Sequence, residues 1–163
     1  MSDVFILVVE DEPEVRDAIA RDLEPFASVF RIEVAEDAAD AREAMADITG
    51  RGDEVALVLA DHLLPGEHGT DFLIALQQDP ETSSIHKVLI TGQAGHDDTI
   101  RAINQANLNH YVAKPWDLVQ LQSVVREELT EWVIEHAESV LPYVSVLDGP
   151  RLMETLRNRP WKH

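Results

Sequence analysis

Apolar residues follow two alternating patterns along this chain. Continuous apolar runs at residues 4–9, 55–60 and 88–90 are rich in Val, Ile and Leu, which predicts strands that are buried on both faces. A shorter run at residues 111–113 predicts a final strand. At residues 29–34 apolar and polar positions alternate, which predicts a half-exposed strand near the edge of a sheet.

Between these strands, apolar residues recur every three or four positions, as in amphipathic helices. Helices are predicted at residues 13–24, 37–48 and 70–77, at a stretch capped by Asp97 or Asp98, and at residues 117–140. Strands alternating with helices predict an α/β fold whose parallel sheet is covered on both faces. With right-handed crossovers, a doubly wound (βα)5 flavodoxin-like three-layer sandwich with strand order 2-1-3-4-5 fits best.

The last predicted helix is long and is followed by a short helical tail. At 1.5 Å per residue this extended C-terminal helix measures about 36 Å, so its second half is expected to project beyond the sheet. An apolar stripe on that half suggests pairing with another helix. We therefore divide the chain into a domain at residues 1–130 and a helical extension at residues 131–163, either a dimerisation segment or the start of a truncated output region.

Charged and hydroxyl side chains follow four of the predicted strands. Glu10 and Asp11 follow the first strand, Asp61 the third, Thr91 the fourth and Lys114 the fifth. Ligands of open parallel sheets bind beyond the carboxyl ends of the strands, so these side chains are expected to share one shallow cleft. Taken singly, each is more often a helix cap, a turn residue or a surface residue. Turn chemistry does not require the whole set.

This set of side chains suits Mg²⁺ and a phosphoryl group. Clustered carboxylates need a cation, and oxygen ligands without His or Cys favour Mg²⁺ over zinc. Lys114 and Thr91 add hydrogen-bond donors for an anion. A carboxylate, a metal and a lysine are the parts needed for phosphoryl transfer onto an aspartate. Asp61 is the best candidate nucleophile, because it follows a central strand and precedes a loop rich in Pro and Gly.

Four ordered segments resemble the receiver domain of two-component response regulators. The acidic cluster reads VVEDEPEVR, the phosphoacceptor segment LVLADHLLPGEHGTDFL, the hydroxyl segment VLITGQAG and the final segment YVAKPWD. Asp61, Pro65 and Gly69 fit the family pattern D-x-x-[LM]-P-x-x-x-G. The resemblance covers residues 4 to about 135 and implies a chemotaxis-regulator-like domain that takes part in phosphorelay signalling.

The resemblance assigns a role to each acidic residue of the cleft. Asp61 is the expected phosphoacceptor. Mg²⁺ is the implied cofactor, with Asp11, Asp61 and the backbone carbonyl of Leu63 as expected ligands. Glu10 is expected to assist through water; many members of the family have Asp at this position, and Glu preserves the charge.

The resemblance also implies a switch. Lys114 is expected to pair with one phosphoryl oxygen, and Thr91 to bond another once Asp61 is phosphorylated. Tyr111 matches the aromatic residue that turns inward as Thr91 moves, so that the surface of the fourth helix, fifth strand and fifth helix changes. The Lys114–Pro115 peptide bond is typically cis in the family.

The implied partners are a sensor histidine kinase or histidine phosphotransfer protein, and a downstream protein or fused output domain. A homodimer is expected to use either the switching surface or the extended last helix. The formal charge is −18, from 31 acidic and 13 basic residues, which argues against direct binding of nucleic acid or anionic lipid. The sequence has no cysteine and neither a signal peptide nor a membrane-spanning run, so a cytoplasmic location is expected.

Two alternative functions stay open. A degenerate receiver would serve as a constitutive docking or dimerisation module, against which the intact Asp11, Asp61, Thr91 and Lys114 speak. A Mg²⁺-dependent phosphohydrolase of the haloacid dehalogenase type also uses a strand-end Asp, but needs a second Asp where Leu63 stands. We therefore expect a phosphoacceptor rather than an enzyme. The histidines lack metal-ligand spacing and are interpreted as surface or packing residues, at positions 62, 68, 86, 96 and 110.

Overall fold

The computed structural model describes residues 2–92 and 96–159, and this part of the chain forms one five-stranded parallel sheet. The strands are β1 (Val4–Val9), β2 (Arg31–Ala35), β3 (Glu54–Ala60), β4 (His86–Thr91) and β5 (Tyr111–Ala113). Their spatial order is β2-β1-β3-β4-β5, which confirms the predicted doubly wound topology with β2 at an edge. Part of the predicted hydroxyl segment, residues 93–95, lies outside the described residues.

Helices in the described part of the chain cover both faces of the sheet. They are α1 (Pro13–Asp22), α2 (Ala38–Gly50), α3 (Gly69–Gln78), α4 (His96–Gln105), α5 (Leu118–His136) and α6 (Gly149–Asn158). In β1, Ile6 and Val8 join the apolar cluster beneath α1 and α5, whereas Leu7 and Val9 join the cluster beneath α2, α3 and α4. The central strands are apolar throughout because both faces are covered. No helix within residues 2–92 and 96–159 is long and apolar enough to span a membrane.

Aspartate caps fix where α2 and α5 begin. The Asp37 carboxylate accepts a hydrogen bond from the backbone N–H of Asp40 at 2.8 Å, and that of Asp117 accepts one from the backbone N–H of Val119 at 3.2 Å. The predicted cap of α4 is wrong, because Asp97 and Asp98 lie inside its first turn. Their negative charges still favour that end of a helix.

The last long helix ends at His136, four residues before the predicted end. The Arg159 guanidinium donates to backbone carbonyls in and just beyond the last turn of α5, where a helix leaves carbonyls unpaired. It donates to the carbonyl oxygens of Ile134 at 3.0 Å, Ala137 at 3.1 Å and Glu138 at 3.3 Å. A residue of the tail therefore stabilises the end of α5. The helical periodicity of the sequence could not predict this contact.

The tail folds back onto the sheet instead of projecting from it. Val140, Leu147 and Leu152 are buried in the same apolar cluster as Trp132 of α5 and the strand residue Ile6. The apolar stripe that was expected to pair with another helix is thus covered by the chain's own tail. The division at residue 130 stays a prediction about domain organisation, and in the structure the residues on its two sides share one apolar cluster.

The loop between β3 and α3 is shaped by a close backbone contact at Gly69. The N–H of Gly69 donates to the carbonyl of His62 at 2.9 Å. A Cβ added to Gly69 would lie 1.7 Å from the carbonyl oxygen of Asp61. Only glycine fits this approach, which holds the first turn of α3 against the end of β3.

We expect Leu152→Ala to destabilise the protein by about 2–4 kcal/mol, because it removes a fully buried side chain and leaves a cavity. Met153→Ala is the matched control: Met153 is 38% exposed on the same helix, and its truncation should cost less than about 1 kcal/mol. Urea unfolding followed by circular dichroism measures both values. Equal, small losses would show that α6 does not contribute to the core.

We expect Gly69→Ala to destabilise the protein by at least about 2 kcal/mol, because the new methyl group collides with backbone rather than with a movable side chain. Gly50→Ala is the control, since a Cβ there meets no atom within 4 Å. Thermal unfolding of the two variants gives the comparison. A Gly69→Ala protein as stable as the Gly50→Ala protein would contradict the close approach.

Candidate phosphoacceptor site

The main chain brings the predicted site residues together just beyond the strands. The backbone N–H of Glu10 donates to the carbonyl of Ala35 at 3.0 Å, and that of Asp61 donates to the carbonyl of Val9 at 3.1 Å. The N–H of Lys114 donates to the carbonyl of Thr91 at 3.3 Å. The hydrogen-bond ladder of the sheet thus fixes the spacing of these residues.

A lysine joins two buried carboxylates at the centre of this cleft. The Lys114 ammonium donates to Asp61 Oδ2 at 2.9 Å and to the Glu10 oxygens at 3.0 and 3.2 Å. The side chain of Glu10 is fully buried and that of Asp61 is 7% exposed. Two carboxylates in so little water repel each other, and the ammonium offsets that repulsion.

The electrostatics of the cleft follow from burial and from this shared ammonium. The pKa of Glu10 is raised to about 7: burial is the largest cause, Lys114 opposes the rise, and the neighbouring Asp61 adds to it. Burial lowers the pKa of Lys114, but its bonds to Asp61 and Glu10 outweigh burial and raise that pKa overall. Lys114 is therefore protonated and positively charged, in a cleft that is otherwise negative. The Lys114–Pro115 peptide bond is cis, as the family resemblance implies.

Three carboxylates in the described part of the chain could hold a cation. One oxygen each of Glu10, Asp11 and Asp61 lies within 4.8 Å of the other two. Asp11 is exposed, so water reaches the group from that side. Leu63, whose carbonyl was predicted as a further ligand, lies close to Asp61: its backbone N–H donates to Asp61 Oδ1 at 3.4 Å. Hard oxygen ligands with access to water fit Mg²⁺, which retains part of its hydration shell.

The two predicted switch residues lie on neighbouring strands. Thr91 is buried at the end of β4 and pairs in register with Ala113, directly before Lys114. Tyr111 begins β5 opposite Leu89 and is 48% exposed. Because side chains alternate along a strand, Thr91 and Tyr111 point to the same face of the sheet. It is the face that α4 covers.

The sequence analysis missed that His62 is a buried part of this loop. Its Nδ1 lies 2.8 Å from Thr70 Oγ1, and its ring stacks on that of His68 at a centroid distance of 4.8 Å. On its other side Nε2 faces Asp98 of α4 at 3.5 Å. Its position directly after Asp61 was the available signal, because the residue that follows a buried strand end often stays inside.

Comparison with known proteins identifies the family. The model of the "Response regulator receiver domain" family matches residues 6–126. Among curated relatives, the hydrogenase transcriptional regulatory protein HoxA of Cupriavidus necator is 31% identical over 123 residues, which are 75% of this chain and 23% of that protein. The response regulator Rre1 of Synechocystis is 29% identical over 126 residues, which are 77% of this chain and 52% of that protein.

Solved structures show the same fold. The signal receiver domain of an HD domain-containing protein from Pseudomonas fluorescens has a TM-score of 0.71 and 26% identity, with 83% of this chain and 93% of that chain covered. A CheY-like receiver domain from Methanospirillum hungatei has a TM-score of 0.69 and 24% identity, with 83% and 100% covered. The chain spans about a quarter to a half of the length of HoxA and Rre1. It belongs to the response regulator receiver domain family.

Proposed function

We propose that the chain is a phosphorylation-controlled signalling module whose phosphoacceptor is Asp61. The observation that carries this proposal is the Lys114 ammonium held 2.9 Å from the Asp61 carboxylate in a buried acidic cleft. Phosphoryl acceptance is typical of receiver domains, which are signalling modules rather than enzymes with a free substrate. The family match extends this expectation to the chain, and the contact between Lys114 and Asp61 supports it.

The transfer begins at a carboxylate oxygen of Asp61. This oxygen attacks the phosphorus of a phosphohistidine on the donor protein, in line with the phosphorus–nitrogen bond. The new oxygen–phosphorus bond forms as the old bond breaks, and the electron pair of the old bond stays on the histidine nitrogen. Lys114 then turns from a carboxylate oxygen to a phosphoryl oxygen, where it offsets the charge of the transferred group. Water later hydrolyses the acyl phosphate and restores the carboxylate.

Receiver domains bind Mg²⁺ at an acidic pocket, and the donor set here suits that ion. We assign Asp11, Asp61 and the carbonyl of Leu63 as its ligands, with Glu10 acting through water. When bound, the ion supplies positive charge to the phosphoryl oxygens. Asp11 is exposed and takes the solvent side of the site, whereas Glu10 is buried and keeps Lys114 in place.

Switching follows from the residues beside the acceptor. The phosphoryl group offers Thr91 a new hydrogen-bond acceptor, and Tyr111 turns inward from its half-exposed position. The surface of α4, β5 and α5 then differs between the two states, as a population shift requires. This surface would contact a downstream protein, a fused output domain or a second copy of the chain. A histidine kinase or phosphotransfer protein in the cytoplasm would supply the phosphoryl group.

We expect acetyl phosphate to add one phosphoryl group to the protein in the presence of Mg²⁺, as measured by intact mass. Asp61→Asn should abolish the addition, because it removes the nucleophilic carboxylate. Asp53→Asn is the matched control, since Asp53 ends no strand in the cleft and bonds Arg51 and the backbone of Asp3 instead. Lack of labelling in the unaltered protein, with beryllofluoride also failing to bind, would leave only the docking-module function.

We expect Mg²⁺ at about ten times its Kd to raise the free energy of unfolding by about 1.4 kcal/mol, because the ion binds only the folded site. Asp11→Asn should remove most of this gain without unfolding the protein, because Asp11 is exposed. Asp17→Asn, an exposed carboxylate on α1, should keep the full gain. Thermal shift with and without Mg²⁺ measures the difference. Equal gains in the two variants would exclude Asp11 as a ligand.

A further inference from the structure

A second cluster of ionisable side chains lies at the opposite end of β4 and β5 from Asp61. His86 begins β4, His110 directly precedes β5, and both rings reach toward Glu128 on α5. The cluster joins two strands to one helix and shares no residue with the acidic cleft.

Glu128 is a buried carboxylate that receives one histidine at each oxygen. Its side chain is 3% exposed. His86 Nδ1 lies 2.6 Å from Oε2, and His110 Nδ1 lies 2.9 Å from Oε1. An ionised carboxylate in this position is costly without partners, so the two rings account for its burial.

Each histidine faces a second carboxylate on its outer side. His86 Nε2 lies 2.7 Å from Glu135 Oε1, and His110 Nε2 lies 3.3 Å from Glu127 Oε2. A neutral imidazole carries a proton on only one nitrogen and can donate only one hydrogen bond. Both hydrogen bonds of His86 to ionised carboxylates are therefore satisfied together only by its imidazolium form.

We propose that His86, Glu128 and His110 form a proton-dependent clamp that holds α5 against the starts of β4 and β5. When His86 is protonated, its positive charge binds the buried carboxylate of Glu128 and the outer carboxylate of Glu135. When His86 loses its proton, one of these two contacts changes from a hydrogen bond into a repulsion between lone pairs. The docking of α5 then weakens.

The pKa directions agree with this geometry. Burial lowers the pKa of His86, but its bonds to Glu128 and Glu135 outweigh burial and raise that pKa overall. Burial raises the pKa of Glu128, but the two histidines outweigh burial and lower it. The His86 contribution is complete below the unfolded-state value, about 6.5, and is lost as pH rises through the higher folded value. The Glu128 contribution is complete above about pH 4.5 and is lost as pH falls through the lower folded value.

Other charged groups near the clamp come from both packed elements. On β4, Lys87 is buried, bonds Gln77 Oε1 at 2.8 Å and has a pKa lowered by burial to about 8. On α5, Glu131 and His136 line the same pocket as His86 and Glu128. This pocket has a volume of about 310 Å³ and gives solvent protons a route to His86. The nearby glutamates favour the protonated form of His86, and the positive charge of Lys87 opposes it.

The direct test is an NMR titration of the imidazole resonances in the full chain. The His86 imidazole should titrate above the ordinary histidine value of about 6.5. In Glu128→Gln, the His86 pKa should fall toward the ordinary histidine value. A His86 pKa at or below about 6.5 in the unaltered protein, or one unmoved by Glu128→Gln, would overturn the clamp.

A second test measures docking itself and does not need the Glu128 variant to fold. Between about pH 6 and about pH 8, the urea midpoint of the unaltered protein should fall, and the amides of α5 should lose more exchange protection than those of α2. His86→Gln should flatten this pH dependence, whereas Met153→Ala, which removes an exposed side chain without a titratable group, should leave its slope unchanged. Parallel pH profiles in all three proteins would show that the histidines only pack, and would overturn the proposal.

Discussion

The rest of the site depends on one positive charge, the Lys114 ammonium, which pairs with both Asp61 and Glu10 beyond the ends of the strands. Two carboxylates with almost no exposure could not remain side by side without this positive charge. The sheet order makes the pair possible. β1 and β3 are neighbours, and β5 lies beyond β4, so the long lysine side chain spans a gap that a shorter residue would leave open. The fold thereby turns residues from distant parts of the chain into one electrostatic unit.

Much of the fold could be predicted because the central strands are recognisable as continuous apolar runs. A run such as residues 4–9 is apolar at every position only when both faces of a sheet are covered. The end of the run therefore marks the end of the buried strand, where polar residues begin. Glu10 and Asp61 were found for this reason: each is the first carboxylate after such a run. The roles given to Thr91, Tyr111 and Leu63 came from family resemblance, and they remain proposals.

What escaped prediction depends on contacts between residues far apart in the chain. The end of α5 is set by Arg159, more than twenty residues later, so the helical period of residues 117–140 could not reveal it. The burial of His86 likewise depends on Glu128, which lies 42 positions away. The residues next to a histidine in the sequence do not indicate that it will pair with a buried carboxylate on another element.

The packing of Tyr143 on Phe30, with ring centroids 5.5 Å apart, affects the order in which the two faces of the sheet can be covered during synthesis. Phe30 precedes the second strand, whereas the residues that close the cluster over it extend to Leu152. During synthesis the opposite face, whose buried cluster ends at Leu108, can be covered earlier. The face beneath α1 and α5 stays open until the segment that contains Leu152 has left the ribosome. A nascent chain therefore exposes one finished and one unfinished side of the same sheet.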